Sequence, residues 1–246
     1  MNIALILSYD GTAYHGWQIQ KTDETVCGTL KKAIEKTVEH PVSIHGCGRT
    51  DAGVHAKKYV ASFRSDTRIP MDKLPFALNS RLPDDIAISR AFVAGEDFHP
   101  INSCVKKQYT YYIQPNKIRD PLLVNRTYHY PRAIDMELCR NAAGQFIGTH
   151  DFACVKSEGT PVKNTVRTLY SFEVFNENGL IAFEMTASGF LYNMARALVG
   201  TVLYCNEGKI NDIPALIAGC SRTEAGPTVP PHGLYMTGVW YPNVDV

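Results

Sequence analysis

The sequence predicts an α+β protein made of two tandem β-α-β-β-α-β halves, over residues 1–104 and 105–246. Three observations carry the prediction. Apolar or alternating runs of strand length recur along the chain. Between them lie stretches whose apolar side chains fall at helical spacing. The two kinds of segment follow the same order in each half.

In the first half, residues 2–9 (NIALILSY) read as a buried strand, and the polar, Gly-rich DGTAYHGWQIQ after them as a loop. Residues 25–39 place Val26, Leu30, Ala33, Ile34 and Val38 on one helical stripe. Strands follow at 42–47 and 59–64, a helix at 70–80 with Pro70 near its start, and a strand at 85–94. In the second half, residues 105–115 (VKKQYTYYIQP) read as a strand and 135–147 as a helix. Strands at 166–175 and 180–187 flank Asn178–Gly179, a strong hairpin signal. Residues 191–205 (LYNMARALVGTVLYC) read as a helix and 233–240 as a closing strand. Each half is thus a ferredoxin-like unit, and the polar segment 115–132 is the crossover between them.

Composition bounds the function. A chain of 246 residues that is 45% hydrophobic has material for a substantial core. With a net charge of +1, overall charge gives no pointer to a nucleic-acid partner; only a local basic groove would supply one. Seven cysteines, odd in number and without a CxxC pair, mostly in apolar runs, suit a reducing compartment. MNIALILSYD has no basic stretch or cleavage-like site ahead of its apolar run, and no run approaches a membrane span, so a cytoplasmic location is expected.

One acid stands out. Residues 46–56 read GCGRTDAGVHA, with Asp51 alone among small residues before a strand. A turn or cap role explains such an Asp on local grounds. The helix at 191–205 adds a second consideration, because it is apolar nearly all round and its one charge is Arg196. A buried guanidinium needs a carboxylate or several carbonyls, and Asp51 is an economical partner. Such a pair would hold Asp51 ionised, as nucleophilic or base chemistry requires. The plain alternative is an Arg196 that snorkels at the helix edge. In KKQYTYYIQ, Tyr109 reads as sheet core; beside Lys106 and Lys107 it can also stack on a base near a phosphate. A metal site on His45, Asp51 and His55 finds no support in HExxH, CxxC or EF-hand patterns, and no Gly-rich phosphate motif calls for a nucleotide cofactor. Nor is there a second clearly placed acid for a glycosidase pair.

Several strings then align together. GRTDAGVHA (48–56) resembles the catalytic motif of the tRNA pseudouridine synthase A family, and YDGTAYHGWQIQ (9–20) is similar to its N-terminal signature. KKQYTYYI (106–113), FIGTHDFACV (146–155), VRTL (166–169), GFLYNMARALVG (189–200) and PPHGLYM (230–236) match family blocks in order along essentially the whole chain. Two departures are mild: Ala within ARALVG and Met at the end of PPHGLYM, where larger residues and Leu are usual.

The resemblance implies a pseudouridine synthase fold with a central cleft. It implies conversion of uridine to pseudouridine in the anticodon stem-loop of tRNA, about positions 38 to 40, on a flipped nucleotide. It implies Asp51 as the catalytic acid, Arg196 as its ion-pair partner, Tyr109 stacked on the target base, Leu234 lining the apolar pocket and Arg49 holding the flipped nucleotide. Lys57, Lys58, Lys106, Lys107 and Arg167 are then candidate phosphate contacts. It further implies a homodimer with tRNA touching both subunits, and no cofactor or metal. The chemistry suits this set: the N1–C1′ bond breaks, the base turns, and C5 joins C1′. A fixed carboxylate either attacks C1′ or removes the 2′ proton, while water is kept out.

Overall fold

A computed structural model of the chain describes every residue except 160, 161, 163, 243, 245 and 246. The chain folds as two compact units, one of Met1–Val105 with Tyr235–Val246, the other of Lys106–Leu234.

The first unit is ferredoxin-like. Its elements are β1 (Asn2–Tyr9), α1 (Val26–Val38), β2 (Ile44–Gly46), β3 (His55–Arg64), α2 (Leu74–Asn79) and β4 (Ile86–Ala94). The antiparallel order is β4-β1-β3-β2, with β1 nearly inaccessible along its length. Helix α1 starts where the Thr25 hydroxyl accepts from Gly28 N–H at 3.2 Å. It lays Val26, Cys27, Leu30, Ala33 and Ile34 into the core with Leu5, Leu7, Tyr59 and Phe63. Helix α2 is shorter than the periodicity predicts. Residues 70–73 form a turn, Lys73 and Leu74 N–H both donating to the Pro70 carbonyl, and Pro75 sits in the first helical turn. Strand β3 starts earlier than predicted, at His55, because its first residues pair in parallel with Tyr235 and Met236. Those belong to the closing strand, here β10 (Leu234–Trp240). By sequence this strand belongs with the second half; from Tyr235 onward it clusters with the first.

The second unit carries β5 (Lys106–Gln114), β6 (Tyr128–His129), α3 (Met136–Gly144), β7 (Gly148–Asp151), β8 (Val166–Glu177), β9 (Leu180–Ala187), α4 (Met194–Asn206) and α5 (Ile213–Gly219). Its strands run β5-β9-β8-β7, each adjacent pair antiparallel, with β6 beside the end of β5. Asn178 and Gly179 turn the β8–β9 hairpin with φ of 51° and 82°, the paired positive values of the tightest hairpin turn. Asp135 caps α3 through Glu137 and Leu138 N–H, both at 3.0 Å. Helix α4 is buried nearly all round, as its composition predicts, but begins at Met194, after Asn193 at φ 60°. It also lies against the chain at 226–227: a Cβ on Gly200 would stand 1.8 Å from the Pro227 carbonyl oxygen. The short β7 and α5 have no counterpart among the sequence-predicted elements.

Candidate active site

Asp51 lies, half-buried, in the loop that leads into β3. The sequence around it makes a turn: Val54 N–H donates to the Asp51 carbonyl at 3.2 Å, and Gly53 takes φ 76°. What fixes this loop is the earlier loop between β1 and α1. Trp17 N–H donates to the Thr50 carbonyl at 3.1 Å, Gly53 N–H to the Tyr14 carbonyl at 3.3 Å, and the Tyr9 and Thr50 hydroxyls share a bond of 2.9 Å. The bracing loop is itself anchored. Val26 and Cys27, the first residues of α1, donate to the Gly16 and Trp17 carbonyls. The Tyr14 hydroxyl donates to Asp85 at 2.6 Å, and burial together with that carboxylate pushes its pKa up. Gly16, at φ 81°, passes so close that a Cβ there would lie 2.3 Å from the Thr50 oxygen.

Aromatic packing finishes the frame. Trp17 stacks on Tyr59 with ring centroids 4.2 Å apart, and the Tyr59 hydroxyl donates to the Gly48 carbonyl. His55, four residues past Asp51 and almost inaccessible, stacks on Tyr235 at 4.5 Å. Its Nδ1 lies 3.0 Å from Gly11 N and 3.1 Å from Asp10 Oδ1. Lys57 reaches over the same Tyr235 ring, 5.6 Å from its centroid. Both flanks of the Asp51 loop are therefore held by at least two independent sets of contacts. Arg49 is exposed, Lys57 exposed and Lys58 half-buried, all in this unit.

Tyr109, Arg196, Leu234, Lys106, Lys107 and Arg167 belong to the second unit. Tyr109 is buried on β5 and meets Phe190 edge-on, centroids 4.9 Å apart at 81°. Residues 109–112 are buried on both faces of the strand, so strand alternation does not separate a core face from a free one. Arg196 is half-buried on α4. Its Nε donates to the Val229 carbonyl at 2.7 Å and one terminal nitrogen to Asn193 Oδ1 at 2.7 Å, so carbonyl-type oxygens meet part of its donor set. Leu234 is buried at the head of β10. Arg167 donates to the Asn164 and Val166 carbonyls and runs beside Gly189. Lys106 and Lys107 are half-buried at the start of β5.

The residues weighed for a metal diverge. His45 is exposed and tilts against His99, while His55 is buried against Tyr235. Among the described residues no three His, Cys, Asp or Glu side chains gather as a metal-binding group. Burial pushes the thiols of Cys27, Cys154 and Cys205 up to about 11 and that of Cys139 up to about 12. At neutral pH these four are protonated packing residues, not nucleophiles. Sequence reasoning missed the supports Tyr9, Trp17, Tyr59 and Tyr235, and weighed His55 only as a ligand. Four of these five stand inside motif blocks quoted above, Tyr9 and Trp17 in YDGTAYHGWQIQ, His55 in GRTDAGVHA and Tyr235 in PPHGLYM, which is the signal that bears on them. No helix among the described residues is long and apolar enough to cross a membrane.

Comparison with known proteins covers the same blocks. The family model described as tRNA pseudouridine synthase matches residues 5–101 and 142–242. The tRNA pseudouridine synthase A of Ruminiclostridium cellulolyticum is 42% identical over 97% of this chain and 99% of its own length. That of Caldicellulosiruptor bescii is 45% identical over 98% and 99%, and that of Geobacter sp. strain M21 is 38% identical over 98% and 99%. A solved chain from a Cbf5-Nop10-Gar1 complex is similar over 82% of this chain and 44% of its own, at 11% identity and a TM-score of 0.36, too distant to bear on the fold. With a family model matched across both units and relatives aligned from end to end, the chain belongs to the tRNA pseudouridine synthase family.

Proposed function

We propose that the chain converts uridine to pseudouridine in the anticodon stem-loop of tRNA, at about positions 38 to 40, on a nucleotide flipped out of the stack. Asp51 is the catalytic acid. Its carboxylate faces the anomeric carbon, which becomes electron-poor as the N1–C1′ bond breaks, and serves there as nucleophile or at C2′ as base. Arg196 is its counter-charge, Tyr109 stacks on the uracil, and Leu234 gives the base an apolar, water-excluding wall. Arg49 holds the displaced nucleotide. Lys57, Lys58, Lys106, Lys107 and Arg167 meet phosphates. The first half, residues 1–104, supplies the acid and the second, 105–246, the stacking and counter-charge residues. The reaction is an isomerisation and takes neither cofactor nor metal. The enzyme acts in the cytoplasm as a homodimer, with one tRNA touching both subunits.

The observation that carries the reading is the bracing of Asp51. A single carboxylate in a loop pinned through Thr50, Gly53 and Gly48 has the fixed placement that attack on one carbon of one sugar requires. The test is tritium release from tRNA carrying [5-³H]uridine, because the C5 hydrogen must leave when C5 becomes the glycosidic atom. Wild type in EDTA should release tritium. Asp51→Asn should be slower by about 10³-fold or more while still binding tRNA. Full activity in Asp51→Ala, or an inert wild type, would sink the proposal. Sedimentation equilibrium tests the dimer: a concentration-independent monomer mass rejects it.

A further inference from the structure

The first unit has a cavity of about 370 Å³ beside the Asp51 loop, lined among others by Trp17, Ile19, Lys31, His45, Arg49 and His99. We propose that this cavity takes a second, unpaired nucleotide of the substrate RNA, its base against the His45–His99 pair. The proposal rests on the reading that the chain acts on tRNA.

Charge separates this cavity from two others among the described residues. Its lining carries Lys31 and Arg49 and no carboxylate. The cavity of about 410 Å³ beside α3 carries Asp135 and Glu137, and a neighbouring one of about 490 Å³ sets Glu96 and Asp97 against Arg64. Of the three, only the one next to Asp51 suits a polyanion. Lys31 already leans on Glu35 at 3.6 Å, so Arg49 is its principal free-standing cation. Arg49 lies two residues before Asp51, which makes the cavity continuous with the loop that carries the acid.

The imidazoles give the site its selectivity for a base. His99 Nδ1 accepts from Ile101 N–H at 3.2 Å and Asn102 N–H at 3.4 Å. Its ring proton therefore resides on Nε2, as a donor that no acceptor meets among the described residues. The His45 ring makes no hydrogen bond among the described residues and lies 4.9 Å from His99, tilted by 48°. Ile19 and Ile101, 47% and 49% exposed, stand at the same cavity as bare apolar surfaces. Flat faces, apolar flanks and an in-plane donor next to a guanidinium match an unstacked base with its phosphate. A volume at the lower end of the range for small-ligand pockets, about 300–1,000 Å³, suits one nucleotide.

The test uses His45→Ala, Ile101→Glu and Ile101→Lys, each in an Asp51→Asn background that binds without turnover. Both positions are exposed, so the fold should tolerate the changes. Titration with fluorescently labelled tRNA should show Kd raised about tenfold by His45→Ala and by at least as much by Ile101→Glu. Ile101→Lys should hold or improve affinity, because a cation favours RNA there; a purely structural lesion would weaken it like Glu. Kd within about twofold of the parent for both His45→Ala and Ile101→Glu would overturn the proposal and leave the cavity to an occupant other than RNA. Tritium release by the wild type is scored separately. Its failure rejects the activity reading, while the affinities still decide the cavity.

Discussion

Replacing Gly16 by Ala tests whether the loop between β1 and α1 sets the position of Asp51. The residue sits at φ 81°, where an ordinary L-residue costs about 1–2 kcal/mol. Its new methyl would stand 2.3 Å from the Thr50 carbonyl oxygen and 3.1 Å from the Asp51 carbonyl carbon. Contact with backbone cannot be relieved by a rotamer change, so the two loops must part by about 1 Å, at an overpacking cost of about 1–3 kcal/mol. Together the loss is about 2–5 kcal/mol, read as a lower urea midpoint at unchanged slope. The larger consequence is for chemistry. Trp17 N–H reaches the same Thr50 oxygen, so the shift carries that bond and the start of the Asp51 turn with it. A displacement of about 1 Å at a reacting group costs about 10²-fold in rate. Tritium release below the melting temperature, with folding checked by circular dichroism, should show that loss in kcat more than in KM. A variant with wild-type kcat and an unfolding free energy within about 0.5 kcal/mol of wild type would refute the argument that these loops are rigidly coupled.

Three further outcomes are expected. Tyr59→Phe removes the hydroxyl that serves the part-buried Gly48 N–H and carbonyl, so stability should fall by about 1–2 kcal/mol in urea unfolding. Gly200→Ala sets a methyl against the Pro227 oxygen beside the chain that gives Arg196 its Val229 carbonyl. It should cost about 2–3 kcal/mol and lower Tm by about 5–10 °C. Glu207, held by Lys209, the Tyr130 hydroxyl and Arg132, has its carboxyl pulled down to about 2 from 4.5. A depressed pKa stabilises the fold above pH 4.5, and that contribution drains away as pH falls from there towards 2. Because Arg132 and Lys209 are well exposed, the contribution is about 1–2 kcal/mol; Glu207→Gln should lose it at pH 7 and converge on wild type near pH 2–3.

The elements that sequence reasoning found are those with a long local signal. β1, α1, β4, β5, the β8–β9 hairpin and α4 all have the period, cap or turn residues that their conformation demands. Short elements escaped it: β7 has four residues and α5 seven, too few to show a period above background. The local pattern shows strand β3 only from Tyr59, because its first two residues, His55 and Ala56, pair with partners about 180 positions away, beyond any local pattern. The site divides the same way. Asp51 stands out as a candidate through its small neighbours and motif, and Arg196 through the cost of a charge in an apolar helix. The bracing residues Tyr9 and Tyr59 read as ordinary strand residues and Trp17 as part of a loop, since only the fold brings them to Thr50 and Gly48.

The pairing of Tyr235 and Met236 with His55 and Ala56 has a consequence for biosynthesis. On the ribosome, residues 106–234 emerge between β3 and the strand that completes its edge. A nascent chain can therefore form the β4-β1-β3-β2 sheet, and then the whole intervening unit, with His55 still lacking the Tyr235 ring. The frame around the acid closes only when Leu234–Trp240 has emerged. Truncation of that strand should consequently leave most of the hydrophobic core intact while stripping one wall from the Asp51 loop, so full activity should require residues beyond 234.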